Sequence, residues 1–268
     1  MATLLLLTKF FIMIKKTISL LMLVLMVFGT VLTVNSQDKS YIMWESITLT
    51  PDNTNLKVLG ENMRKHNQKY HKEGPYKAYV YNISTGPNIG KLVWEMGPLT
   101  YSHLDDRPSE GGHDTDWRDN IMPYVRKMSN GEYWKKDKEL SNTDMLDPDT
   151  NSHPLLYIRY HEVYKGEGHN VKHLLTQISK TVKSMEGENP WSVYYNEFQQ
   201  GYSIGRHIAT ISLYKKWAEL DDDASFKKAF IAVNGKNSWE PFLENMNDTF
   251  SNSWDEIWTY NPTLSGHD

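Results

Sequence analysis

Tyr157, Arg159 and His161 occupy alternate positions in the segment from Leu155 to Tyr164. Alternate residues of a strand share one face, so a strand here brings a phenol, a guanidinium and an imidazole together. That set suits acid/base chemistry beside a carboxylate. The guanidinium grips the acid through two parallel hydrogen bonds. Imidazole titrates near neutrality, and the phenol can donate to a departing oxygen. Leu156, Ile158 and Tyr160 form the opposite row, and their apolar character reads as the row that packs on helices. The reactive row is therefore expected to face a cavity. In that reading Arg159 holds the carboxylate, His161 or Tyr195 takes a proton, and His207 or Tyr157 returns one to the leaving group. A register error of one residue would turn the whole row outward.

Other residues are candidates for binding. Tyr81-Asn82 and Tyr195-Asn196 end two strand-like segments ahead of glycines, and their recurrence also suits a structural role. Tyr81, Asn82 and Asn196, with Trp191, are the expected substrate contacts beside Arg159. His207 has Lys91 or Leu92 in the matching place of the other copy, so its role is not shared. The loop from His103 to Asp116 holds two histidines and four aspartates within fourteen residues. Such a loop could hold a divalent cation, although its spacing fits no known metal motif and Asp114 and Asp116 also suit a helix start. His66, His71, His169 and His173 lie on or beside helices expected to face solvent. Trp44, Trp94, Trp191, Trp217, Trp254 and Trp258 exceed what a core of this size needs, and aromatic faces of this kind stack on sugar rings.

The elements that position these residues are written twice. Glu73-Gly-Pro75-Tyr76, Tyr81-Asn82, Gly86, Ile89-Gly90, Leu104-Asp105-Asp106, Trp117 and Trp134 with Leu140-Ser141 recur in order. Their counterparts are Glu188-Asn-Pro190-Trp191, Tyr195-Asn196, Gly201, Ile204-Gly205, Leu220-Asp221-Asp222, Trp239 and Trp258 with Leu264-Ser265. A repeat of this length marks two copies of one supersecondary unit. Each copy reads as strand, helix, strand, strand, helix, strand. In the second, Val171, Leu174, Leu175, Ile178 and Val182 form one helical stripe. In the first, a helix is expected over 55–70 and another over 117–128. The copies span 41–141 and 155–266, and the Asn-, Asp- and Pro-rich stretch 142–154 reads as a linker. One copy alone would leave a bare apolar sheet face, which a second copy can cover.

This arrangement resembles the dimeric α/β-barrel superfamily, with both halves fused on one chain. The resemblance implies an α+β fold of two ferredoxin-like βαββαβ repeats packed sheet to sheet as a pseudo-dimeric barrel. Members include cofactor-free monooxygenases, haem-degrading enzymes, haem peroxidases, polyketide cyclases, lactone isomerases and dehydratases, so the fold by itself selects no reaction.

Composition narrows the classes. The chain has 268 residues and no cysteine, which excludes disulfides, thiolate catalysis and Cys-ligated metal. Lys15-Lys16, an uncharged run to Val34 and small residues near Ser36 read as a signal peptide over 1–36. A periplasmic or secreted location is expected, with no stable membrane anchor. Losing Lys9, Lys15 and Lys16 takes the formal charge from −4 to −7, and no basic face for nucleic acid is evident. From these features the expected function is a cofactor-free dehydratase acting on a uronic-acid-bearing oligosaccharide. The expected ligand is an anionic oligosaccharide or other small carboxylated molecule, and a homodimer is kept as an option. A haem-dependent or cofactor-free monooxygenase, or a non-catalytic sugar-binding protein, are the alternatives.

Overall fold

A computed structural model describes residues 41–267 apart from 108, 110, 148–150, 199–204 and 223–224. The expected signal peptide and Gly201 lie outside the described residues. The first half runs β1 (Met43–Pro51), α1 (Leu56–Tyr70), β2 (Ala78–Ile83), β3 (Leu92–Leu99) and β4 (Val125–Asn142). The second runs β5 (Leu155–Val163), α2 (Gly168–Ser184), β6 (Trp191–Asn196), β7 (Ile208–Tyr214), α3 (Phe226–Asn234), α4 (Trp239–Thr249) and β8 (Phe250–Tyr260).

The strands form one closed barrel in the order β1-β3-β2-β8-β5-β7-β6-β4, every pair antiparallel. Each half would leave edge strands unpaired. Here β2 pairs with β8 and β4 pairs with β6, so each half closes the other's edges. The expected α+β tandem is what forms.

Closure makes three apolar layers. In the first half Leu59 and Met63 of α1 pack on Met43, Leu49, Val80 and Met96, outside the barrel. In the second, Val171, Leu174 and Leu175 of α2 meet Trp191, Val193 and Ile208. The third layer lies within the barrel and includes Val93, Trp134, Leu156, Ile158, Tyr160 and Trp258. Gly86 illustrates how tightly the halves join. Its φ is +90°, and a Cβ there would sit 2.4 Å from the Asp255 carbonyl oxygen on β8. Only glycine adopts that conformation at so little cost and leaves that space.

One expected helix is absent. Residues 117–128 form a π-helical turn (Trp117–Ile121) and a 3₁₀ turn (Met122–Tyr124), and the chain is extended from Val125 onward. Pro123 cannot donate the hydrogen bond a continuing helix needs, and Val125 enters the eighteen-residue strand β4. Among the described residues no helix is long and apolar enough to cross a membrane.

The repeat also pairs differently from its motif string. Ile83 faces Trp258 across β2–β8, whereas Asn196 faces Trp134 across β4–β6. Tyr81 therefore corresponds to Tyr194, and the Tyr-Asn pairs are offset by one residue. That single step puts Tyr81 inside the barrel and Tyr195 outside.

Candidate active site

The barrel encloses a chamber of about 230 Å³. Trp44, Tyr79, Tyr81, Trp134, Tyr194 and Trp258 give it aromatic walls, and the linker residues Leu146 and His153 border one end. Two glutamates lie fully buried in the barrel wall at matching places of the two halves. The Trp134 indole N–H donates to Glu132 (3.0 Å), and that of Trp258 donates to Glu256 (2.8 Å). This Glu-x-Trp repeat is legible in the chain as Glu132-Tyr-Trp134 and Glu256-Ile-Trp258.

The halves then diverge. Arg206, buried at the start of the β7 segment, donates to Glu132 through Nε (2.7 Å) and Nη2 (2.8 Å), and to the Tyr160 hydroxyl (2.9 Å). Its guanidinium also lies 3.8 Å from the centre of the Tyr160 ring. Glu256 instead accepts from the Asn88 amide at 2.6 Å, and Asn88 accepts from Lys91.

A third carboxyl breaks the symmetry more sharply. Glu95 stands on the chamber wall beside Ser46, its register partner on β1. The matching pair in the second half is Ile158 with Ile211. Glu95 is partly exposed and lines the chamber, and the protein packed around it pushes its carboxyl up to about 7. The neighbouring Ser46 hydroxyl and the Arg206 charge oppose that rise, and the Glu132 charge adds to it. The Ser46 hydroxyl makes no well-directed hydrogen bond of its own. A carboxyl poised at neutrality in an apolar, aromatic chamber is a competent proton acceptor. Its signal in the sequence is the one acid among the apolar residues from Leu92 to Met96.

The row expected to do this work faces the other way. Leu156, Ile158 and Tyr160 point into the barrel, and Tyr157, Arg159 and His161 point outward, along a groove bordered by α3 and α4. The interior of a closed barrel is as dry as a helix interface, so apolar character alone does not say which row faces helices. Arg159 makes a two-pronged pair with Asp255 (2.7 and 2.8 Å), and the Tyr157 hydroxyl donates to the same carboxylate at 2.6 Å. The Arg159 and Asp255 side chains are 45 % and 38 % exposed. Such a pair contributes under about 1 kcal/mol. Arg159→Ala is therefore expected to shift the urea midpoint little and leave turnover unchanged.

His161 is 2 % exposed, stacked at 4.4 Å on Phe250 and hydrogen-bonded to Ser253 (2.8 Å). Burial, then the Arg159 charge, lowers its pKa to about 4, and Asp255 opposes them. It is a structural imidazole, not the expected base. Tyr195 packs on the outer core of the second half, and burial pushes its phenol up to about 12. The His207 Nδ1 accepts the Val163 backbone N–H at 2.9 Å and so ties the β7 segment to β5. Trp191 belongs to the same outer core, 7 % exposed. Asn196 donates to the Arg206 carbonyl and accepts from the Phe198 N–H, shaping the chain between β6 and β7. Asn82 alternates with Tyr81 and so lies on the outer side of β2. Of the expected site residues, Tyr81 is the one that lines the chamber.

Some barrels of this kind hold haem, which needs an axial ligand facing the macrocycle. Among the described residues the histidine lining the chamber is His153, on the linker, with its Nδ1 beside the Ser152 hydroxyl. The chamber is also smaller than the roughly 300 Å³ at which drug-sized ligand pockets begin. His161 borders the outer groove, with its Nδ1 beside the Ser253 hydroxyl. The chamber does not fit haem.

No family model matches the chain, and no curated protein does. Solved structures do share the architecture. An anthrone oxidase-like protein aligns at TM-score 0.52 with 10 % identity, over 84 % of this chain and 92 % of that one. A protein from Fusobacterium nucleatum, provisionally named a monooxygenase, aligns at 0.51 with 8 % identity, over 83 % and 93 %. A mutant chlorite dismutase from Candidatus Nitrospira defluvii aligns at 0.51 with 7 % identity, over 83 % and 93 %. The chain therefore has the dimeric α/β-barrel fold, with both halves on one polypeptide. The expected sugar dehydratase is overturned. Its catalytic row lies outside the barrel, and the similar structures carry oxygenase, oxidase and chlorite dismutase names instead.

Proposed function

We propose that the chain is a cofactor-independent oxygenase acting on a small aromatic substrate inside the barrel. The observation that carries this reading is Glu95, a carboxyl held near neutrality on an aromatic chamber wall. The monooxygenase and anthrone oxidase-like names among the similar structures support the same reaction class.

The chemistry needs a substrate whose C–H is acidified by adjoining rings or a carbonyl. Trp and Tyr faces stack on such a planar system, and the chamber volume suits two or three fused rings at most. The Glu95 carboxylate removes a proton from the activated methylene. The resulting carbanion passes an electron to dioxygen, and the two radicals combine as a peroxide anion on that carbon. The second C–H proton moves to the terminal peroxide oxygen, its bonding pair becomes the carbonyl π bond, and the O–O bond breaks to release hydroxide. Protonated Glu95 returns its proton to the hydroxide. One methylene and one O₂ thus become one carbonyl and one water.

Oxygen uptake with anthrone and with 1,8-dihydroxyanthrone tests this. The expected result is consumption well above autoxidation, rising with pH through about 7 as Glu95 ionises. Uptake no faster than buffer with both compounds, from folded protein, rejects it.

A further inference from the structure

On the opposite side of β3 from the chamber, three imidazoles meet. Trp94 points outward from the position before Glu95, and its ring lies 5.0 Å from that of His71. His71 follows the end of α1, His66 lies within α1, and His113 opens a short helical turn (His113–Asp116) between β3 and β4. Their ring centres are 5.0, 5.1 and 5.2 Å apart, nearly an equilateral triangle. One nitrogen from each lies within 4.8 Å of the others. His66 and His71 are 1 % and 3 % exposed, so the expectation that they face solvent fails. The His113 side chain is 13 % exposed.

The outer nitrogens are all engaged. The Nδ1 of His66 lies 2.7 Å from Asp116, that of His113 lies 2.8 Å from Asp114, and that of His71 lies 2.8 Å from the Tyr76 carbonyl. A carbonyl oxygen only accepts, so His71 Nδ1 carries the hydrogen, and a carboxylate favours the same tautomer in the other two rings. Each neutral ring then turns a bare Nε2 lone pair inward. The Nε2 atoms of His71 and His113 are only 3.0 Å apart, and the His66 Nε2 is buried without a hydrogen-bond partner. Converging lone pairs repel unless a proton or a metal cation stands between them, and a proton shared by His71 and His113 would still leave the His66 Nε2 without a partner.

We propose that His66, His71 and His113 bind one divalent transition-metal ion of the zinc type through their Nε2 atoms. Imidazole suits zinc, at about 2.0–2.1 Å per bond. A tetrahedral ion at that distance separates its ligand nitrogens by about 3.4 Å, against 3.0 Å between the His71 and His113 Nε2 atoms and no more than 4.8 Å for the pairs with His66. Outer carboxylates and a backbone carbonyl are the usual partners that orient metal-bound histidines. Asp114 and Asp116 also bring two negative charges to balance the ion, against the opposing charges of Lys69 on His66 and Arg107 on His71. Asp116 is itself held by the Asn120 amide at 2.7 Å. Among the described residues no fourth histidine or carboxylate joins the cluster. That leaves a coordination position for water, on the His113 side where the site approaches the surface. The loop's four aspartates are not the ligands. The metal reading of that loop comes down to His113, joined by two residues more than forty positions earlier in the chain.

The test uses the full chain without a histidine tag, purified on non-chelating resin. Zinc titration is expected to give one tight site per chain, and Co²⁺ the visible bands of a four-coordinate ion. Asp116→Asn is expected to weaken zinc about 10–100-fold, and His113→Ala further. His113 lies at the edge, so that variant retains the fold, and Zn²⁺ should raise the melting temperature of the parent but not of His113→Ala. Absence of a cobalt spectrum in the folded parent, or equal zinc affinity in His113→Ala, overturns the site. So does a ¹⁵N–¹H correlation placing a proton between the His71 and His113 Nε2 atoms in zinc-saturated protein.

Discussion

Glu95→Gln is expected to give a protein that is inactive yet more stable than its parent at pH 8. Removing the base costs about 10²–10⁴ in turnover. The stability change has the opposite sign because the native chamber disfavours the charged carboxylate. The folded carboxyl titrates near 7 against an ordinary 4.5, so the folded state holds its proton more tightly than the unfolded chain. Stability from this group is fully present below about 4.5 and falls as pH rises toward 7. At pH 8 the whole penalty applies, at most about 3 kcal/mol from 1.36 kcal/mol per pKa unit. Glutamine carries no charge and escapes it. Urea unfolding of both proteins at pH 4 and pH 8, beside oxygen uptake, measures the two effects together. A residue that merely shaped the chamber would not trade activity for stability in this way. Undiminished turnover in Glu95→Gln removes the carboxyl from the reaction.

Arg206→Met carries the largest expected loss of stability. Glu132 is fully buried, and Arg206 is its cationic partner at 2.7–3.0 Å. Taking the guanidinium away strands a charge in the barrel, which costs about 3–5 kcal/mol. For a domain of this size the melting temperature is expected to fall by roughly 6–20 °C. Adding Glu132→Gln to the same chain should recover most of that, because the penalty belongs to the unpaired charge rather than to lost contacts. The Trp134 indole keeps an acceptor in that double variant. Equal stability of parent and Arg206→Met, by urea and by heat, would mean that water reaches Glu132.

The same residues show how far a linear reading extends. Alternation in Leu155 to Tyr164 identifies two rows and places Tyr157, Arg159 and His161 together, as they are. It does not say which row turns inward, because both the barrel interior and the helix interface exclude water. The Tyr-Asn motif was offset for a related reason. Its copies sit near strand ends, where one residue gained or lost in a turn reverses every side chain beyond it. Glu132 and Glu256 were legible as a doubled Glu-x-Trp, but nothing local distinguishes a buried glutamate from a solvated one. Glu95 and the His66–His71–His113 triangle are harder still, since their properties come from segments distant in the chain.

By itself the chain determined its duplication, most of its strands and helices, and the need for two bare sheet faces to cover each other. Those features rest on periodicity and composition, which act over a few neighbouring residues. Tertiary structure alone decided which faces line the chamber, which carboxyl is drained of water, and which imidazoles converge. Burial and electrostatic coupling depend on everything packed around a group, and that environment exists only once the eight strands have closed.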